Sequence, residues 1–133
     1  VEVVGRAAAR MTPAALATID AIIEDQARAA TRGDTRRLYE LDETFHRAIF
    51  EIADCQAAAD ELEDVKLHLN RLRYLSVDWP RSADYIVAEH RLIREALGAQ
   101  DAVAAAAAMR THLRAVLVPL EMMSRRNGIA AAV

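Results

Sequence analysis

Turn-forming residues are so scarce in this chain that few architectures remain open to it. Four glycines and three prolines serve all 133 residues, and the stretch 34–79 contains neither. A sandwich or barrel needs turn signals every eight to twelve residues or so, which argues against an all-β fold. Alanine is abundant and aromatic residues make up only 5%, a balance that favours helices packed closely through small side chains. The apolar residues recur at intervals of three and four, the period of a helix with one buried face. The expectation is a single all-α domain, an antiparallel bundle of about six to seven helices, spanning residues 1–133.

The punctuation divides the chain into six helical segments. The first runs from about Val1 to Met11. Thr12 and Pro13 form a helix start, the hydroxyl as cap and the proline in the first turn. The second segment carries Leu16, Ile19, Ile22 and Ile23 and ends near Arg32, with Gly33 as the stop and Asp34 as the next cap. A third, from Thr35 to Ala53, has Leu38, Leu41, Phe45, Ile49 and Ile52 on its stripe. A fourth is expected from Gln56 to Ser76, with Leu62, Val65, Leu69 and Leu72 inward, broken by Val77-Asp78-Trp79-Pro80. Ser82 caps a fifth that holds Ile86, Ile93 and Leu97 and stops at Gly98. Asp101 caps the sixth, from Ala102 to about Arg126, which Pro119 should kink or end early. The connections are short, so successive helices should lie antiparallel.

Charge and composition narrow the function classes. The formal net charge is −3 and the isoelectric point about 5.8. Sixteen arginines and the lone Lys66 are spread among acids rather than gathered into a basic face for nucleic acid. No apolar run reaches the roughly 18 residues of a membrane span, and no signal-peptide pattern is present, so a cytoplasmic location is expected. Cys55 is the single cysteine, which excludes an internal disulfide and a multi-cysteine zinc site. The chain opens at Val1 inside an apparent helix and reads as a piece of something longer.

The informative residues are the polar ones set within the apolar stripes. Asp42 and His46, four apart, share a face of the third segment beside Leu38, Leu41, Phe45 and Ile49. His90 lies between Ile86 and Ile93. His112 follows Ala105 and Met109 at the same period. Three helices therefore each direct an imidazole inward, and one adds a carboxylate that is costly to bury without a partner. Imidazole nitrogen and carboxylate oxygen are the usual ligands of a borderline divalent metal, and a bundle core is a normal place to assemble them. A buried histidine held by an ordinary hydrogen bond, or a simple Asp42–His46 pair, accounts for the same pattern. His68 sits at the flank of its stripe and reads as a boundary residue. Arg71 and Arg73 share its helix, and Arg73, at the stripe edge, is placed to clamp a carboxylate or to cover apolar surface with its stem. The even spacing of the four histidines, 22 residues apart, has no matching neighbourhoods and is read as coincidence.

At these residues the sequence resembles the FadR C-terminal (FCD) ligand-binding domain of GntR-family bacterial transcription regulators. The resemblance is carried by LDETFHRAIF (Leu41 to Phe50), LNRLRYLS (Leu69 to Ser76), AEHRLIREALGAQDAVAAAAAMRTHL (Ala88 to Leu113) and the TRGD turn (Thr31 to Asp34), in order and register. It implies an all-helical bundle of six or seven helices. It further implies a divalent metal on Asp42, His46, His90 and His112, the four residues singled out by the stripe argument. Zinc is the first expectation, with nickel or manganese as alternatives. Above the metal, a small carboxylate effector would be steadied by Arg73. The family's winged helix-turn-helix domain is absent from this chain, so DNA would be met only through that missing domain, and a homodimer is expected because half-site recognition needs two copies. One departure is the Ala53-Asp54-Cys55-Gln56 turn, where the family often has glycine and asparagine.

Two other classes stay open at this stage. A metal-dependent hydrolase or oxygenase would need a general base, and Glu43 and Glu89, next to ligands in sequence, are turned away from those neighbours on the helix. A di-iron bundle needs two Glu-x-x-His motifs, and only Glu43 to His46 fits. A metal-free helical dimerisation module would use the histidines as core residues alone.

Overall fold

A computed structural model of the chain describes residues 1–59 and 83–126, with side chains over 1–59 and 83–115. Among the described residues there are five long helices and no strand: α1 (Glu2–Ala9), α2 (Pro13–Thr31), α3 (Thr35–Ile52), α4 (Ala83–Gly98) and α5 (Ala102–Arg126). Residues 56–59 are helical again. The expected fourth segment beyond residue 59, its break at 77–80, the Ser82 cap and the tail after residue 126 lie outside the described residues.

The helix starts follow the sequence. Thr12 Oγ1 accepts from the Ala15 amide at 3.1 Å, with Pro13 in the first turn. Asp34 Oδ1 accepts from Arg37 N at 3.0 Å, and Asp101 Oδ1 accepts from Val103 N and Ala104 N at 3.0 and 2.9 Å. Each cap satisfies amides that the first turn leaves without a helical acceptor.

The stops of α2, α3 and α4 share one geometry but not one residue type. After α2, Gly33 takes a left-handed backbone (φ 66°), Gly33 N bonds to Ala30 O and Asp34 N to Ala29 O. That paired pattern is the Schellman closure. The same pair of bonds closes α3 around Asp54 (φ 57°), through Asp54 N to Glu51 O and Cys55 N to Phe50 O. It closes α4 around Gln100 (φ 55°), through Gln100 N to Leu97 O and Asp101 N to Ala96 O. Gly98 is thus the last helical residue, while the left-handed position falls two residues later. The turn at Ala53-Asp54-Cys55 keeps the geometry of a glycine stop with an aspartate in its place.

Pro119 does not end α5, which continues to Arg126. A proline inside a helix forfeits one backbone hydrogen bond; the helix carries on past that missing bond.

The core is aliphatic and small. Val4, Ala7 and Ala8 of α1, Ile19 and Ile23 of α2, Leu38, Leu41, Phe45 and Ile49 of α3, Ile93 and Leu97 of α4, and Ala105 and Met109 of α5 are buried together. Leu16 and Ile52, expected inward, are only half-buried at its edge. α2 packs on α3 and on α4, α4 packs on α5, and α1 lies against α3, α4 and α5. The seam between α2 and α4 also carries a two-pronged ion pair. Arg94 Nε and Nη2 donate to Asp20 Oδ1 and Oδ2 at 2.5 and 2.7 Å. Those hydrogen bonds hold the Asp20 carboxyl below its ordinary range and the Arg94 guanidinium above its own.

Two outcomes follow from this geometry. Asp54→Gly removes the left-handed strain of a residue with a Cβ and is expected to raise stability by about 0.5–1 kcal/mol in urea unfolding. The Asp20 carboxyl is lowered in the folded chain, so its contribution is complete above the unfolded value of about 3.9 and disappears as pH falls through the lower folded value. Asp20→Asn should therefore cost about 0.5 kcal/mol near neutrality, the screened figure for a pair this exposed, and the gap from the parent should close in unfolding curves taken at progressively more acid pH.

Candidate metal centre

Three helices bring four polar side chains to one interior point. α3 supplies Asp42 and His46, one turn apart on the face that also carries Phe45 and Ile49. α4 supplies His90 from the stripe of Ile86 and Ile93, and α5 supplies His112, one turn after Met109. Asp42, His90 and His112 are buried, at 4%, 0% and 1% exposure, and the His46 side chain retains 15%.

One ligand atom from each lies no farther than 4.8 Å from any of the others. His46 Nε2 is 3.2 Å from His112 Nε2, and Asp42 Oδ1 is 3.4 Å from His90 Nε2 and 3.9 Å from His46 Nε2. The Asp42–His46 distance exceeds a hydrogen bond, so the carboxylate turns toward α4 rather than closing a simple pair within its own helix.

The donor set fits a divalent ion. With metal–nitrogen bonds of about 2.1 Å, neighbouring donors on a right-angled or tetrahedral centre stand roughly 3.0–3.4 Å apart. The 3.2 and 3.4 Å separations have that size. The 3.9 Å gap between Asp42 Oδ1 and His46 Nε2 exceeds that spacing by about half an ångström. Two imidazole nitrogens at 3.2 Å repel unless a proton or a cation lies between them.

The rings are held from outside. Phe45 stacks on His90 with ring centroids 3.9 Å apart and planes 13° from parallel. His90 Nδ1 is 2.8 Å from Oε1 of Gln26, a fully buried residue of α2. His112 Nδ1 is 2.8 Å from Glu89 Oε2. Glu89 indeed turns away from His90, its sequence neighbour, and reaches across to α5. Gln26 and Glu89 are both missing from the sequence-based set. Gln26 was detectable by the same signal as the histidines, since it occupies the α2 stripe between Ile22, Ile23 and Ala29. Glu89 becomes visible only once α4 and α5 are paired. Glu43 is exposed. His68, Arg71 and Arg73 lie outside the described residues.

With this geometry in view, comparison with known proteins is informative. A family model described as the FCD domain matches residues 1–115. The chain belongs to that family. Over 122 residues, 92% of its length, it is 30% identical to the HTH-type transcriptional repressor RspR of Escherichia coli K12, and equally to an uncharacterized HTH-type transcriptional regulator, YdfH, of Shigella flexneri. A regulator encoded in an unstable DNA locus of Streptomyces ambofaciens is 35% identical over 88 residues, covering 66% of this chain and 37% of that protein. The chain spans about half the length, 54%, of the first two relatives. The FCD domain is a regulatory domain rather than an enzyme, and this one carries a possible metal site of aspartate and histidine. No helix among the described residues is long and apolar enough to cross a membrane.

The stacked Phe45 is fully buried beneath His90. Phe45→Ala should open a cavity there and cost about 3–5 kcal/mol in denaturant unfolding, while Phe45→Leu, which refills most of the volume, should retain much of that stability.

Proposed function

We propose that this FCD domain senses a small organic acid through a divalent ion held by Asp42, His46, His90 and His112. The observation that carries the reading is the convergence of these four donors from three helices within 4.8 Å of one another in a buried interior. The donor chemistry, three imidazoles and one carboxylate, suits zinc first and nickel or manganese next. When bound, the ion supplies Lewis-acid coordination positions that the four side chains leave open for a carboxylate oxygen.

The chain's own residues perform the remaining tasks. Asp42 offsets the positive charge in a low-dielectric interior. The apolar floor of Phe45, Ile49 and Ile93 keeps bulk water from the buried donors. Arg73, the motif's assignment for the acid, would grip its second oxygen. In a full-length regulator, acid binding would bias two arrangements of the bundle and so alter how a winged helix-turn-helix domain outside this chain meets DNA. That reading draws support from the names of the relatives, which are HTH-type regulators, one of them a repressor. Such a protein would work as a homodimer in the cytoplasm.

Purified chain is expected to carry about one divalent ion per protomer by elemental analysis. His90→Ala and His112→Ala should each weaken uptake of the ion and of a carboxylate together in calorimetry. An ion at a hundred times its dissociation constant should raise unfolding free energy by about 2.7 kcal/mol, a gain that a chelator removes. Undiminished uptake of both ligands by the two variants would overturn the coordination model.

A further inference from the structure

We propose that Gln26 and Glu89 are positioning residues which keep the ring proton of His90 and of His112 on Nδ1, so that each Nε2 presents its lone pair to the centre. This rests on the metal-binding reading above but makes a separate claim about the protein before any ion arrives.

Gln26 is the clearer case. It is fully buried, and its Nε2 has no hydrogen-bond partner among the described residues. An unpartnered buried amide group costs free energy, and an apolar side chain on this stripe avoids that cost. Among the described residues, the one side-chain hydrogen bond of Gln26 is that which Oε1 accepts from His90 Nδ1, at 2.8 Å. A carbonyl oxygen only accepts, so that bond exists only with the proton on Nδ1. Without it, the better seat for the proton is Nε2, which faces Asp42 Oδ1 at 3.4 Å. His90 in that tautomer has a hydrogen, not a lone pair, toward the centre. Gln26 therefore opposes the tautomer that Asp42 alone favours.

Glu89 does the same for His112 with a carboxylate. Its Oε2 accepts from Nδ1 at 2.8 Å, leaving Nε2 with its lone pair directed at His46 Nε2, 3.2 Å away. Gln26 lies on α2 and Glu89 on α4, so each ring is gripped by a helix other than its own. Imidazole ligands are oriented in this way by their outer hydrogen bond.

The test combines two measurements on the parent chain and three variants. Side-chain ¹⁵N spectra of the metal-free parent at pH 8 should show His90 and His112 both protonated at Nδ1. Gln26→Met, which keeps the shape and removes the acceptor, should move His90 to the Nε2 tautomer while its metal-free melting temperature falls little. Cobalt(II) titration followed by visible absorption should show Gln26→Met and Glu89→Met weakened about 10- to 100-fold, with Glu89→Gln, which retains an acceptor, recovering much of the loss. Nε2 tautomers in the parent, or cobalt affinities of both methionine variants equal to the parent's, would overturn the proposal. A parent that takes up no cobalt would defeat the metal reading instead, and the parent's tautomers would still decide this inference. Should either methionine variant fail to fold, the parent spectra and Glu89→Gln decide it.

Discussion

A carboxylate at 4% exposure in the middle of an aliphatic bundle is the constraint around which the rest of this structure is arranged. Burying Asp42 is expensive unless donors or cations surround it, and the polar groups gathered around the centre come from four helices. His46 stands one turn along the same helix. His90 and His112 arrive from α4 and α5, and Gln26 from α2. A fold that merely needed a core would place leucine at these positions, as it does at Leu38 and Leu41 on the same helix. Under the proposed function, the cost of burying Asp42 is offset by the ion it would help to hold.

The seam between α2 and α4 shows how that arrangement is supported mechanically. Asp20 meets Arg94 near one end, and Gln26 meets His90 further along. The residue numbers rise on one helix as they fall on the other, which is the register of an antiparallel pair. The outer link is an ion pair open to solvent, and the inner one is a hydrogen bond excluded from it. The exposed link contributes modestly to stability. The buried one leaves half of the Gln26 amide unsatisfied among the described residues, a cost that the proposed positioning of the His90 ring would explain.

Most of the fold could be read from the sequence because helix starts are written in side chains. Thr12, Asp34 and Asp101 cap by their own oxygen atoms, and each was identifiable from its type and position. Helix stops are written in backbone angles, and there the reading was weaker. Gly33 was recognisable, but Asp54 and Gln100 adopt the same left-handed turn without the residue that usually signals it. Of the two outcomes expected at Pro119, an early end does not occur, since the helix runs its full 25 residues to Arg126. At the candidate centre, period alone selected Asp42, His46, His90 and His112, because a polar residue on an apolar stripe is anomalous wherever it occurs. Gln26 is the same anomaly, a polar residue on the apolar stripe of α2. Glu89 is off the stripe of its own helix, and its role depends on a tertiary contact that no local pattern encodes.

The location of the centre bears on how a sensor of this kind could work. α3 packs on α2 and α1, whereas α4 and α5 pack on each other and also against α2 and α1; the division that matters here is between α3 and the α4–α5 pair. The four donors straddle the division, two on α3 and two on the α4–α5 pair. Anything bound at that point ties the two groups together with contacts that neither group supplies alone. A ligand shifts a conformational balance only by the difference in its affinity for the two states. Binding to a site within one rigid pair would be nearly indifferent to how the pairs are set. Binding across them makes the donor–donor distances themselves the quantity that differs, and a change of half an ångström in those distances is large on the scale of a coordination bond. On the proposed reading, an ion held across these helices would turn the strict bond lengths of a small centre into a preference among helix arrangements.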